Sequence, residues 1–258
     1  MNPSITTIPL YCFSGCTSLT TFTGANNVTN LETECFRNCS SLTNIDIDWT
    51  KITKLGTSCT SGSSLKIPLS DLSHIQEIGK YALNENKTTG SSLVLDSVTY
   101  ISEYAFSKNS SITSLVITSQ HNVNIVGRAF EFCTNLTTVD LSQSLMRTFG
   151  GNGSFLGCSS LVSVKLPLTV TQFGAWFSAN PLNDCDSLTE LKGLDNVTSL
   201  MSGIQANCNL NHAIYLKELT QENSLPICTS FRNNRHPYLK QLYMPKFQYS
   251  TLTKYNFD

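Results

Sequence analysis

Polar and apolar residues alternate along this chain in short bursts rather than long runs. "SLTNIDI" sets Leu42, Ile45 and Ile47 between polar neighbours. "NLTTVDL" does the same with Leu136, Val139 and Leu141, and "SLVSVKLP" with Leu161, Val164 and Leu166. Alternation at the Val-x-Leu end predicts a short strand with one buried face. A second segment follows it, as in "VTNLETECF" (28–36) and "VTYISEYAF" (98–106). Its inward residues, Val98, Ile101, Ala105 and Phe106, fit an extended piece running into a tight helical turn.

The two segments recur in phase. A Cys-x-x-Leu phrase is read at CTSL (16–19), CSSL (39–42), GSSL (62–65), GSSL (90–93) and NSSI (109–112). It continues at CTNL (133–136), CSSL (158–161), CDSL (185–188), CNLN (208–211) and HPYL (236–239). Three residues upstream stands an apolar slot: Phe13, Phe36, Leu83, Phe106, Phe130, Phe155 and Phe177. A period in the low twenties marks a repeat solenoid, in which one supersecondary unit hides its apolar side only by stacking on the next. Successive strands then pair in parallel about 4.8 Å apart, so about ten coils make a rod roughly 50 Å long.

The phrase resembles the BspA-like leucine-rich repeat family, A-F-x-x-C-x-x-L-x-x-V-x-L-P-x-x-V-x-x-I-G. The resemblance runs from Ile8 to about Met244 and is most specific over 126–167, "VGRAFEFCTNLTTVDL…FLGCSSLVSVKLP". Asn211 departs from a Leu slot, Gln205 from a Phe slot, and Cys59 lies near another Phe slot. The expected fold is a leucine-rich-repeat solenoid with one parallel β-sheet and short helical or extended turns per coil of about 23 residues. Residues 1–258 are read as a single solenoid of about ten coils, irregular over 201–235, with 236–258 as final coil and terminal cap.

Composition narrows the functional classes. The chain has 258 residues and a net charge of −1, so nothing draws it to nucleic acid or anionic membrane. Charged residues are only 14%, and Ser, Thr and Asn solvate the surface instead. No apolar run approaches the roughly 20 residues of a membrane-spanning helix. The start, "MNPSITTIPLYCF", has no basic segment followed by an apolar one, so no signal peptide is expected in it.

Ten cysteines invite four readings: metal site, disulfide ladder, catalytic thiol and packing. Zinc wants paired ligands converging from close spacing, but the two C-x-x-x-C copies lie a whole repeat apart. A ladder of disulfides is sterically open at strand spacing, yet Gly, Asn or His holds the same slot elsewhere. No cysteine stands in a sequence context that marks an activated thiol. Buried free thiols filling a small slot are the favoured reading. His74, His121, His212 and His236 form no H-x-x-x-H pattern. "GGNGSFLG" (150–157) lacks the Gly-Lys-Ser/Thr ending of a phosphate loop. Several Asn-x-Ser/Thr triplets coincide with the repeat phrase itself, and composition accounts for them without glycans. No enzymatic activity, cofactor or metal is expected.

A repetitive surface without assembled chemistry is suited to binding. Outward strand positions, flanked by buried ones, must face solvent. They include Thr43, Asn44 and Asp46; Thr137, Thr138 and Asp140; Ser163 and Lys165; Glu190 and Lys192. Two local candidates compete with this distributed surface. Trp176 lies in an insertion, "AWFSANPLNDC". Residues 231–258 concentrate Arg and Tyr, with Arg235, Tyr238 and Tyr243 as candidate contacts, or else form a covering end coil. The resemblance implies an extracellular or cell-surface recognition and adhesion module that binds a protein or glycan of a host or neighbouring cell. A phage or virion appendage, among other subunits of a larger assembly, and an intracellular scaffold are the alternatives. Neither nucleic acid nor membrane insertion is expected.

Overall fold

The computed structural model describes residues 5–85, 88–174, 181–194 and 196–197, together with the backbone strands Ser199–Leu200, Ile214–Tyr215 and Leu242–Tyr243. These residues wind as a parallel β-solenoid of about seven turns with little helix. Every strand pairing is parallel, between neighbouring coils.

The leucine-rich-repeat solenoid stands as expected, and its sheet is more divided than the phrase indicates. The Val-x-Leu segments from Ser92–Leu95 onward form a five-stranded ladder with Ser114–Ile117, Thr138–Asp140, Ser163–Lys165 and Glu190–Lys192. Earlier segments pair separately, Thr21–Phe22 with Asn44–Ile45 and Ile67–Pro68 with Thr88–Thr89. The interruption has a local cause. The chain turns directly after Pro68 into a short 3-10 helix, Leu69–Leu72, which buries Leu69 and Leu72 and lies against Ser92–Leu95 in place of a pairing strand. The Val-Thr-x-Ile segments build a second ladder of their own. It has six strands, Thr7–Ile8, Asn30–Leu31, Lys54–Leu55, Glu77–Ile78, Tyr100–Ile101 and Asn124–Ile125.

Between the ladders, one apolar column per repeat slot fills the interior. Leu42, Leu136, Leu161 and Leu188 are all fully buried. Phe106, Phe130 and Phe155 stack face to face with centroids 4.9 and 5.2 Å apart. One Phe slot lies beside Cys59, as expected, and another differs from the sequence expectation. The Phe36 N–H donates to the Cys59 carbonyl, which puts Thr60 in the Phe slot and Cys59 beside it. The Phe155 N–H donates to the Pro181 carbonyl, so Leu182 takes that slot in the next coil. Leu182 is 1% exposed, and Phe177 lies outside the described residues.

The cysteine slot carries more than volume. Thiols of Cys39, Cys133, Cys158 and Cys185 donate to the carbonyls of Phe13, Phe106, Phe130 and Phe155 at 3.0, 3.1, 3.2 and 3.3 Å. Where Asn109 replaces cysteine, its amide donates to the Leu83 carbonyl at 3.2 Å. The slot therefore selects a small donor that satisfies a buried carbonyl of the preceding coil. In the coil of Thr60 this position belongs to Ser63, whose hydroxyl donates to the Thr60 carbonyl of its own coil at 2.7 Å, and Gly62, which the phrase aligns with cysteine, takes a left-handed turn position at φ 71°.

Candidate binding surface

The five-stranded ladder fixes which side chains stand together on its outer face. Its register aligns Ser92, Ser114, Thr138, Ser163 and Glu190 in one column. Val94, Val116, Asp140, Lys165 and Lys192 form a second column beside it. Both columns are outward because Leu93, Leu115, Val139, Val164 and Leu191 fill the alternate, buried positions.

Neighbours within the columns engage one another. The Ser114 and Ser92 hydroxyls lie 3.0 Å apart. Lys165 reaches Asp140 across strands at 3.4 Å, and Ser163 donates to the Glu190 carboxylate. Lys192 pairs closely with Glu190 within its own strand. Burial pushes the Asp140 carboxyl up, but hydrogen bonds from Ser142 and Lys165 outweigh it and hold the group below its ordinary range. Contacts from Lys192 and Ser163 hold Glu190 down as well. Two acids and two lysines thus leave this end of the face neutral and ordered. At the opposite end the second column is apolar, with Val94 42% exposed and Val116 half-buried beside the Ser92 and Ser114 hydroxyls.

Asp46 occupies the same repeat position as Asp140, but just after the separate Asn44–Ile45 strand, where it is exposed and accepts from the Gly24 N–H at 3.2 Å. The structure therefore brings Asp140 and Lys165 together and leaves Asp46 apart from them. Trp176, Arg235 and Tyr238 lie outside the described residues. Tyr243 is placed by its backbone in a strand, opposite Tyr215 of the neighbouring one.

Sequence reasoning passed over one surface group. Tyr81 and Tyr104 stack with centroids 5.0 Å apart, beside the ion pair of Lys80 and Glu103. The signal was present in "GKYAL" and "SEYAF", two in-phase turns with an aromatic residue at the same position.

Among the described residues, groups with catalytic potential are dispersed. His74 is exposed and pairs with Asp96 at 3.0 Å. Among the described residues no cluster of three or more His, Cys, Asp or Glu residues is arranged to hold a metal. None of their helices is long and apolar enough to cross a membrane.

Stacked parallel coils, a small-donor slot and two ladders define a leucine-rich-repeat solenoid, a fold that serves interaction. Residues 1–113, 76–212 and 151–258 match the BspA type leucine-rich repeat region, a profile of six copies. The chain belongs to this family. No curated protein matches it. Among solved structures it is similar to a leucine-rich repeat protein from Bacteroides ovatus, at 16% identity and TM-score 0.43, over 95% of this chain and 72% of that one. The leucine-rich repeat protein of T. pallidum shares 22% identity at TM-score 0.45, over 84% and 80% of the two chains. A leucine rich cell surface protein from Faecalibacterium prausnitzii shares 18% identity at TM-score 0.41, over 70% and 61%.

Proposed function

We propose that this protein is a surface-displayed recognition module that binds a protein or glycan through the outer face of the five-stranded ladder. The observation that carries the reading is the pair of register-locked outward columns. One is hydroxyl-rich, and the other runs from exposed valine to paired charges. Membership of the BspA-type family supports it, because stacked repeats of this kind serve interaction.

The face is suited to many small contacts rather than one anchor. Each solvent-competed hydrogen bond is worth about 1 kcal/mol or less. Its balanced charge gives little long-range steering, so binding depends on local fit more than on ionic strength. Capture of partners from cell-surface proteins and glycans, followed by alanine substitution along both columns, tests the reading. Graded losses at Val94, Thr138, Asp140 and Lys165 are expected. A single dominant loss at Trp176, Arg235 or Tyr238, with flat effects along the ladder, would overturn it in favour of a local hot spot.

A further inference from the structure

The turn after the six-stranded ladder carries a second surface. The Ser58 N–H donates to the Lys80 carbonyl at 2.7 Å and the Tyr81 N–H to the Glu103 carbonyl at 3.3 Å. Ser58, Tyr81 and Tyr104 therefore hold one position in three successive coils. Both tyrosines are half-buried, and their rings are 10° from parallel. Both have a φ of 57°, a left-handed backbone that bulky residues seldom adopt. Glu34 and Ser58 occupy the same turn position with φ of 55° and 50°, so the turn itself does not call for an aromatic residue. On the side away from Tyr104, the next residue in the column is Ser58, whose short side chain supplies no third ring.

One residue upstream, a parallel column supplies polar groups. Lys80 and Glu103 pair at 2.7 Å, and the Lys80 ammonium lies 5.4 and 5.7 Å from the two ring centroids.

We propose that Tyr81, Tyr104, Lys80 and Glu103 form a binding shelf for a neutral carbohydrate. The charges select the class. A cationic ligand meets a lysine already placed over both rings, and an anionic one meets a lysine already neutralised by Glu103. A pyranose has what remains: a face of C–H groups, made slightly positive by its oxygens, that lies against the negative face of an aromatic ring. Its hydroxyls can donate to the Glu103 carboxylate and accept from Lys80. The shelf lies on turns and not on the five-stranded ladder, so it goes beyond the recognition reading and is separable from it.

Isothermal titration of the full chain with gluco-, galacto- and manno-configured neutral oligosaccharides tests the proposal. At least one should bind in the millimolar range or tighter. The double variant Tyr81→Ala/Tyr104→Ala should weaken it about tenfold or more, whereas Tyr81→Phe should retain most binding. Lys165→Glu/Lys192→Glu, on the ladder face, should leave it unchanged. In the unsubstituted protein, saturating tyrosine ring protons should transfer signal to sugar C–H protons, a readout independent of how any variant folds. Absence of binding across the set, full affinity in the double tyrosine variant, or no transfer from tyrosine would overturn the shelf. Loss only in the lysine variant would overturn it too, while leaving the ladder reading standing.

Discussion

Replacing Phe130 by alanine tests the solenoid at its centre. Phe130 is fully buried and stacked between Phe106 and Phe155 at 4.9 and 5.2 Å. Truncation removes a large apolar side chain and leaves a void that the backbones of three hydrogen-bonded coils cannot close. Core Phe→Ala changes of this kind cost about 3–5 kcal/mol. Each lost ring pair contributes about 0.5–1.5 kcal/mol of that through its stacking geometry. Phe13 holds the same slot in the first described coil and stacks on Phe36 at 5.3 Å, but it is only partly buried. With less apolar area to re-expose, Phe13→Ala should cost roughly half as much.

Urea unfolding followed by far-ultraviolet circular dichroism measures both losses. Because each coil touches only its neighbours, a central lesion should also weaken coupling between the two ends and broaden the transition. Equal losses at Phe13 and Phe130 would refute the reasoning, since a continuous interior column requires the central ring to matter more. A Phe130→Ala loss below about 1 kcal/mol would refute it as well.

Gly79→Ala should destabilise by about 1–3 kcal/mol, because an added Cβ meets backbone atoms of Gly56 and Thr57 at 2.6 Å; unchanged urea unfolding would contradict the close approach. Native alkylation read by mass spectrometry should label Cys12 and Cys16 first, since both are exposed. Cys133 and Cys59, whose thiols burial pushes up to about 12, should react only after denaturation, and equal rates at Cys12 and Cys133 would refute their burial. Acid should weaken the fold through Asp140 and Glu190. Both carboxyls are held down in the folded state, so their stabilisation is present above about pH 4 and lost as pH falls below it. Asp140→Asn/Glu190→Gln should therefore flatten the thermal-stability profile between pH 5 and pH 3, roughly one unit either side of the ordinary carboxylate range; an unaltered slope would refute their part in it.

What the sequence makes legible here is phase, and phase is a property of burial. Leu42, Leu136, Leu161 and Leu188 could be assigned to the interior because a stacked coil hides the same positions each time. The outward residues Asp140, Lys165, Glu190 and Lys192 follow from the same alternation. Pairing is harder, because it depends on how many residues each coil spends between slots. The insertion before Leu182 makes the point. Phe177 stands at ordinary spacing from Phe155 and has the right chemistry, yet the backbone hydrogen bond of Phe155 goes to Pro181. A local match cannot reveal which residue of the next coil meets Phe155. The second ladder was obscured for a different reason. Its two-residue strands alternate too briefly to declare a period, and only the neighbouring coil's carbonyls make them strands. The cysteines show where composition misleads about role. Their size explains why they fit, but Asn109 in the same slot explains why they are there: a larger, fully polar side chain is accepted because it brings a donor to the same buried carbonyl. Volume alone would have excluded it. The slot is therefore conditioned by an unsatisfied acceptor one coil away, a constraint that no single repeat contains and that exists only once the repeats have stacked.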